Sequence, residues 1–197
     1  MFATLQRQLI YFPEVATEQS LLKTADRVGL LDWRDDKGQL IGWRSRTSGG
    51  ESRRLVVFHG NAGNAVYRQY FAAGFLALGS AWQVYLFEYP GYGARPGSPS
   101  ESGIKATATE ALEDLLAADP SPLYLLGESL GSGVASYLAG RFTDKVAGVL
   151  LVTPFTSLID VAGHHYGFLP VKALLSERFD SKEALTHYPG PVAFLLA

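Results

Sequence analysis

Residues 123–136 read LYLLGESLGSGVAS: an apolar run ends in a glycine, and a run of small residues follows. Within it, Gly127-Glu128-Ser129-Leu130-Gly131 is a G-x-S-x-G sequence at the point where a strand gives way to a helix. A serine raised on so sharp a turn takes a strained backbone conformation, and the residues two before and two after it come too close for side chains. Gly127 and Gly131 supply that room, and Gly133 and Ala135 let the helix lie close to its neighbouring strands. The free N–H groups opening that helix favour developing negative charge. Ser129 is therefore a candidate nucleophile. The plainer alternative is a strand-to-helix loop in which Ser129 is an N-cap. A dinucleotide fingerprint starting at Gly131 fits poorly, because Ser136 replaces its last glycine and no suitable acidic residue ends a second strand.

Outward from this turn, strands and helices alternate. RLVVFH (54–59), WQVYLFEY (82–89), LYLLG (123–127), VAGVLLV (146–152) and PVAFLLA (191–197) read as buried strands. Helical stretches are expected around 67–78, 102–118 and from Ser129 onward, which predicts an α/β fold with a mostly parallel sheet. Before it, VGLLDWR (28–34) and QLIGWRS (39–45), joined by DDKG, predict an N-terminal antiparallel hairpin. The Gly- and Pro-rich stretch 90–101 reads as an ordered surface loop. Residues 153–190, rich in Phe, Leu and Tyr, form a lid-like insertion within a single domain spanning 1–197.

The second element is HGNAGN (59–64), directly after the strand RLVVF. Acyl transfer needs two preorganised N–H donors facing the oxyanion, one from the residue after the nucleophile, Leu130, and one from a loop after an earlier strand. Asn61 sits where the second donor belongs, with His59 and Gly60 as its supporting loop. Alone, the same residues also read as a glycine turn in which Asn61 and Asn64 cap the next helix.

Composition narrows the partners. The chain has 197 residues, with 17 Lys and Arg against 19 Asp and Glu, so no excess positive charge is available to hold nucleic acid. Cysteine is absent, which removes disulfides, cysteine nucleophiles and thiolate metal sites. The four histidines, His59, His164, His165 and His187, show no i, i+4 pair on an evident helix, so no metal site is read and no cofactor is expected. The opening MFATLQRQLIYFPEVA is too polar for a signal peptide or a spanning helix. Phe2, Leu5, Leu9 and Phe12 could form the apolar stripe of a short helix, a kind of stripe that usually packs on the protein's own core; it is also a candidate for membrane-surface contact. The expected localisation is cytoplasmic or peripheral to a membrane.

Five ordered stretches, QRQLIYFP (6–13), HGNAGN (59–64), YPGYGARPGSPSE (89–101), GESLGSGVA (127–135) and TPFTSL (153–158), resemble the alpha/beta-hydrolase superfamily over nearly the whole chain. More narrowly, the chain is similar to single-domain serine hydrolases whose eukaryotic relatives include membrane-associated lipases and protein depalmitoylases. The resemblance implies a three-layer sandwich, Ser129 as nucleophile, and backbone N–H donors on Asn61 and Leu130. It also implies an acid on the loop after PVAFLLA and a histidine after a further strand. The sequence therefore reads as a hydrolase fold lacking its last strand and helix, with the triad Asp and His expected beyond Ala197.

A serine hydroxyl is a poor nucleophile without a base, so each histidine matters. His59 belongs to the framework of the oxyanion loop, and His187 reads as a surface helix end. Asp160 with His164 or His165 would make a compact substitute pair; the alternative is solvent-facing lid residues. Glu88 and Glu128 could bind substrate or make structural hydrogen bonds. Phe155, Tyr166, Phe168, Leu169 and Leu174 are candidates to line an apolar acyl pocket, or else core. The expected activity is a serine hydrolase cleaving the ester or thioester of a small-molecule or lipid-like acyl substrate. A non-catalytic binding module with the same architecture is the competing reading.

Overall fold

A computed structural model describes residues 2–46, 53–79, 82–160 and 176–196, with side chains from residue 6 onward. The chain opens with α1 (Phe2–Ile10), β1 (Phe12–Pro13) and α2 (Glu18–Arg27), then the hairpin β2 (Leu30–Arg34) and β3 (Leu40–Ser45). Next come β4 (Arg53–Phe58), β5 (Ala62–Gly63), a 3-10 turn (Ala65–Arg68), α3 (Gln69–Ala77) and β6 (Trp82–Phe87). The remainder is α4 (Glu101–Ala118), β7 (Leu123–Glu128), α5 (Leu130–Arg141), β8 (Val146–Val152), α6 (Ser181–Thr186) and β9 (Val192–Leu195).

Among the described residues the main sheet runs β2-β3-β6-β4-β7-β8-β9. β6, β4, β7, β8 and β9 pair in parallel, and the antiparallel hairpin attaches through β3 to β6. The hairpin turn forms because Asp35 Oδ1 accepts from the amides of Lys37 and Gln39 at 3.0 and 2.8 Å.

Side chains alternate across each strand, so the continuous apolar runs feed two cores. Val56, Phe58, Tyr85, Phe87, Leu123 and Leu125 face α4 and α5, where Ile104, Leu112, Val134 and Leu138 meet them. Leu55, Val57, Val84, Leu86 and Leu126 face the opposite way, toward Leu21 and Ala25 of α2 and Ala72 of α3. The result is the expected mostly parallel, three-layer arrangement. α4 begins where the Ser100 hydroxyl accepts from the Gly103 amide at 3.1 Å. At its other end the buried Arg54 guanidinium donates to the carbonyls of Leu115 at 2.6 Å and Asp119 at 2.7 Å, satisfying acceptors a helix terminus leaves open.

Three features differ from the sequence reading. α2 was not expected; its N-cap Thr17 accepts from the Ser20 amide, and it buries little beyond Leu21 and Ala25. α1 stops at Ile10, so Phe12 belongs to a short strand instead of the helical stripe. The expected packing of that stripe on the core also fails at two positions, since Leu9 is 72% and Phe12 52% exposed. Within 153–190, α6 packs on α5, and Phe179 and Tyr188 are core residues; residues 161–175 lie outside the described residues.

Leu125, on central strand β7, is 1% exposed, so Leu125→Ala should cost about 2–5 kcal/mol. For a domain of this size that lowers Tm by roughly 2–4 °C per kcal/mol. Leu78→Ala, at a residue 75% exposed, should stay within about 0.5 kcal/mol in the same thermal denaturation series.

Candidate active site

The parallel strands end together. Phe58 pairs with Gly127, Glu128 with Val152, and Val152 with Leu195, so the chain leaves β4, β7, β8 and β9 at one edge of the sheet. In open α/β sheets that carboxyl edge is where ligands bind.

Ser129 stands on this edge with φ 49° and ψ −114°, a left-handed conformation costly for a residue with a side chain. Its side chain makes no capping hydrogen bond, which sets aside the N-cap alternative. Its amide donates to the Val152 carbonyl at 2.9 Å, and its carbonyl accepts from the Ser132 amide at 2.8 Å and the Ser132 hydroxyl at 2.6 Å. The conformation is therefore held from both sides. A Cβ on Gly127 would come within 2.6 Å of Ser132 Cα, and a Cβ on Gly131 would overlap the carbonyl of Phe58. Both glycines are required by close approach of backbone to backbone. The N-terminus of the twelve-residue α5, with the Leu130 amide in its first turn, opens beside Ser129.

The loop after β4 lies against this serine. A Cβ on Gly60 would lie 3.7 Å from Ser129 Cβ and 3.8 Å from the Glu128 carboxyl carbon. Asn61 is fastened by three hydrogen bonds through two of its groups, neither of them its N–H. Its side-chain Nδ2 donates to the Ile10 carbonyl at 2.9 Å, and its own carbonyl accepts from the Phe12 amide at 2.9 Å and the Tyr92 hydroxyl at 2.7 Å. The Asn61 side chain therefore does not cap the helix that follows it; it meets the carbonyl of the last residue of α1. Asn64 precedes the 3-10 turn but makes no side-chain capping bond either.

His59 is 1% exposed and belongs to the scaffold. Its Nδ1 lies 2.7 Å from the Gly60 carbonyl and so donates to it, and its ring packs on Tyr89 with centroids 4.0 Å apart. Its Nε2 is 3.2 Å from Glu88 Oε1, within ion-pair distance though not aligned for a hydrogen bond. Tyr89 donates to the His59 carbonyl at 2.7 Å. Burial pushes the phenols of Tyr89 and Tyr92 upward, which keeps both as donors at neutral pH.

The two acidic candidates have structural partners. Glu88 is 2% exposed and accepts the Ala65 amide at 3.1 Å, holding the start of the 3-10 turn. Glu128 pairs with Arg68 Nε at 2.7 Å, beside the Gly60 amide at 3.4 Å. Arg68 was not anticipated from the sequence, because its role depends on a contact sixty residues away.

Three of the remaining candidates, His187, Asp160 and Phe155, are among the described residues. His187 ends α6, well exposed, 3.7 Å from Glu183. Asp160 accepts from the Thr156 hydroxyl at 2.7 Å, and its amide donates to the Ser157 hydroxyl at 3.1 Å. Phe155 is partly buried against the core. His164, His165, Tyr166, Phe168, Leu169 and Leu174 lie outside the described residues.

Comparison with known proteins gives a consistent picture. A family profile described as "alpha/beta hydrolase fold" matches residues 53–179. An uncharacterized protein of Mycobacterium tuberculosis (strain ATCC 25618 / H37Rv) is 39% identical over 194 residues, covering 95% of this chain and 67% of that protein. A lysophosphatidylserine lipase of Danio rerio is 30% identical over 184 residues, covering 84% of this chain and 48% of the lipase. The chain thus spans about two thirds of the first relative and about half of the second. Among solved structures, an alpha-beta hydrolase from Vibrio vulnificus superposes with a TM-score of 0.63 at 17% identity, covering 95% of this chain and 79% of that one, a likeness of fold.

The glycine contacts predict two opposite outcomes in urea denaturation. Gly131→Ala should lose about 3 kcal/mol or more, because the Phe58 backbone cannot move aside. Gly74→Ala, in the interior of α3 with nothing within 4 Å of the new methyl, should gain about 0.5–1 kcal/mol.

Proposed function

The chain belongs to the alpha/beta-hydrolase fold family, and on that ground we propose that it acts as a serine hydrolase, cleaving an ester or thioester through an acyl-enzyme on Ser129. The observation that carries this reading is the strained, half-buried Ser129 against Gly60 at the carboxyl edge of the sheet. In the proposed reaction the Ser129 Oγ attacks the acyl carbonyl while a base takes its proton. The carbonyl oxygen, now an anion, accepts from the amides of Asn61 and Leu130. Collapse expels the alcohol or thiol, and water then releases the acid. Each amide donor is worth about 3–4 kcal/mol of transition-state stabilisation.

The base and its acid are proposed to follow β9. His59 is taken up by Gly60 and Glu88, and His187 stands on an exposed helix end. The end of β9 supports the proposal, because Leu195 is level with Val152 and, through it, with Glu128. A carboxylate on the loop after β9 would stand on the same sheet edge as Ser129. A lipid-like acyl substrate is proposed from the likeness to the Danio rerio lipase. The exposed Leu9, Phe12 and Val15 support peripheral contact of the N-terminal segment with a lipid surface. No helix among the described residues is long and apolar enough to cross a membrane.

Fluorophosphonate labelling tests the chemistry. A chain extended past Ala197 should label at one site and lose all labelling in Ser129→Ala. The chain ending at Ala197 should react far more slowly, since loss of a triad base costs up to about a million-fold. Labelling that survives Ser129→Ala moves the nucleophile to another residue, and an extended chain that folds and does not label points instead to a non-catalytic binding module. Flotation with phosphatidylcholine vesicles should carry the wild-type chain and lose the triple variant Leu9→Ser, Phe12→Ser, Val15→Ser.

A further inference from the structure

We infer that the N-terminal segment is a positioning element of the oxyanion site, setting the direction of the Asn61 amide from outside the hydrolase core; this rests on the serine-hydrolase reading above. Asn61 is gripped at two points by backbone groups on either side of Tyr11: its side-chain Nδ2 donates to the Ile10 carbonyl and its own carbonyl accepts from the Phe12 amide, both at 2.9 Å. Parallel pairing of β1 with β5 continues the grip, Phe12 opposite Ala62 and Pro13 opposite Gly63. A shift of residues 10–13 therefore pulls on the side chain and the carbonyl of Asn61, and through its Cα turns the preceding peptide, whose N–H is the proposed donor.

The residue between those two grips is itself anchored. Tyr11, 3% exposed, donates its hydroxyl to Glu177 Oε2 at 2.6 Å, and Arg7 Nε pairs with Glu177 Oε1 at 2.9 Å. Glu177 is 2% exposed, and the same carboxylate also accepts the Glu101 amide that opens α4. Glu101 answers with its own carboxylate, which accepts from the amides of Arg178 and Phe179. Phe179 in turn packs on α5, where a Cβ on Gly133 would come within 2.7 Å of it. The two glutamates thus clamp the first turn of α4 to residues 177–179, and Tyr11 ties the oxyanion loop to that clamp. Tyr11, Glu177 and the side chain of Asn61 are positioning groups, with no contact to the reacting atoms required of them; only the Asn61 amide touches the oxyanion.

Hydrogen exchange and phosphonylation kinetics test this together. In Tyr11→Phe, Glu177→Gln and Asn61→Ala, exchange of the amides in residues 59–64 should rise about tenfold or more while those of β6 and α4 remain protected. In the chain extended past Ala197, the phosphonylation rate constant should fall about 10²-fold in Asn61→Ala, with the affinity of the reversible complex kept, as expected for a displaced donor. Tyr11→Phe combined with Asn61→Ala should be slowed by less than the product of the two single effects, because both act through residue 61. Unchanged exchange at 59–64 overturns the inference whether or not Ser129 reacts. A wild-type chain that never labels overturns the hydrolase reading instead. Should Asn61→Ala fail to fold, Tyr11→Phe, which removes a single oxygen, decides the exchange test by itself.

Discussion

The close approach of α5 to the end of β4 governs the rest of this structure. With no Cβ at residue 131, the helix settles onto the Phe58 carbonyl, and residue 127 lets β7 turn into the helix without colliding with Ser132. The turn that results forces Ser129 to φ 49°, at an expected cost of about 1–3 kcal/mol. Burial of α5 offsets that cost: Leu130, Val134, Ala135, Leu138 and Ala139 are all 2% exposed or less. A helix of small residues is thus what the geometry of the serine requires.

From that contact follows the placement of everything near the serine. Because Phe58 is fixed under Gly131, the three residues after it emerge beside Ser129, and their buried polar groups must be satisfied. His59, Glu88 and Tyr89 supply one set of partners, and Ile10, Phe12 and Tyr92 another. Buried polar networks of this kind are costly if incomplete and rigid if complete. The stretches QRQLIYFP, HGNAGN and YPGYG, widely separated along the chain, meet at the carbonyl and side chain of Asn61.

Much of this was legible from local pattern. Strands β4, β6, β7 and β8 are continuous apolar runs with turn residues at their ends, and G-x-S-x-G at the end of one of them has a steric explanation that needs no other part of the chain. α2 escaped because a polar helix burying chiefly Leu21 and Ala25 gives a weak apolar stripe, although Thr17 before Glu18 marked its start. β1 and β5 have two residues each, too few for any periodicity. Phe12 was misplaced for the same reason: its spacing from Leu9 suits a helix, and only pairing with Ala62 shows where the helix ends.

What the chain's order of residues determined by itself was the alternation of strands and helices, the sharp turn at Ser129 and the glycines that permit it, since each depends on groups within a few residues of one another. The tertiary structure alone decided that His59 is a scaffold residue, that Glu128 pairs with Arg68, and that Tyr11, Glu101 and Glu177 share one buried cluster. Those assignments depend on contacts between residues from about 30 to 166 positions apart. Hydrogen bonds and ion pairs act over about 3 Å, and which groups come that close is set by packing the two faces of the sheet, a quantity no local window contains.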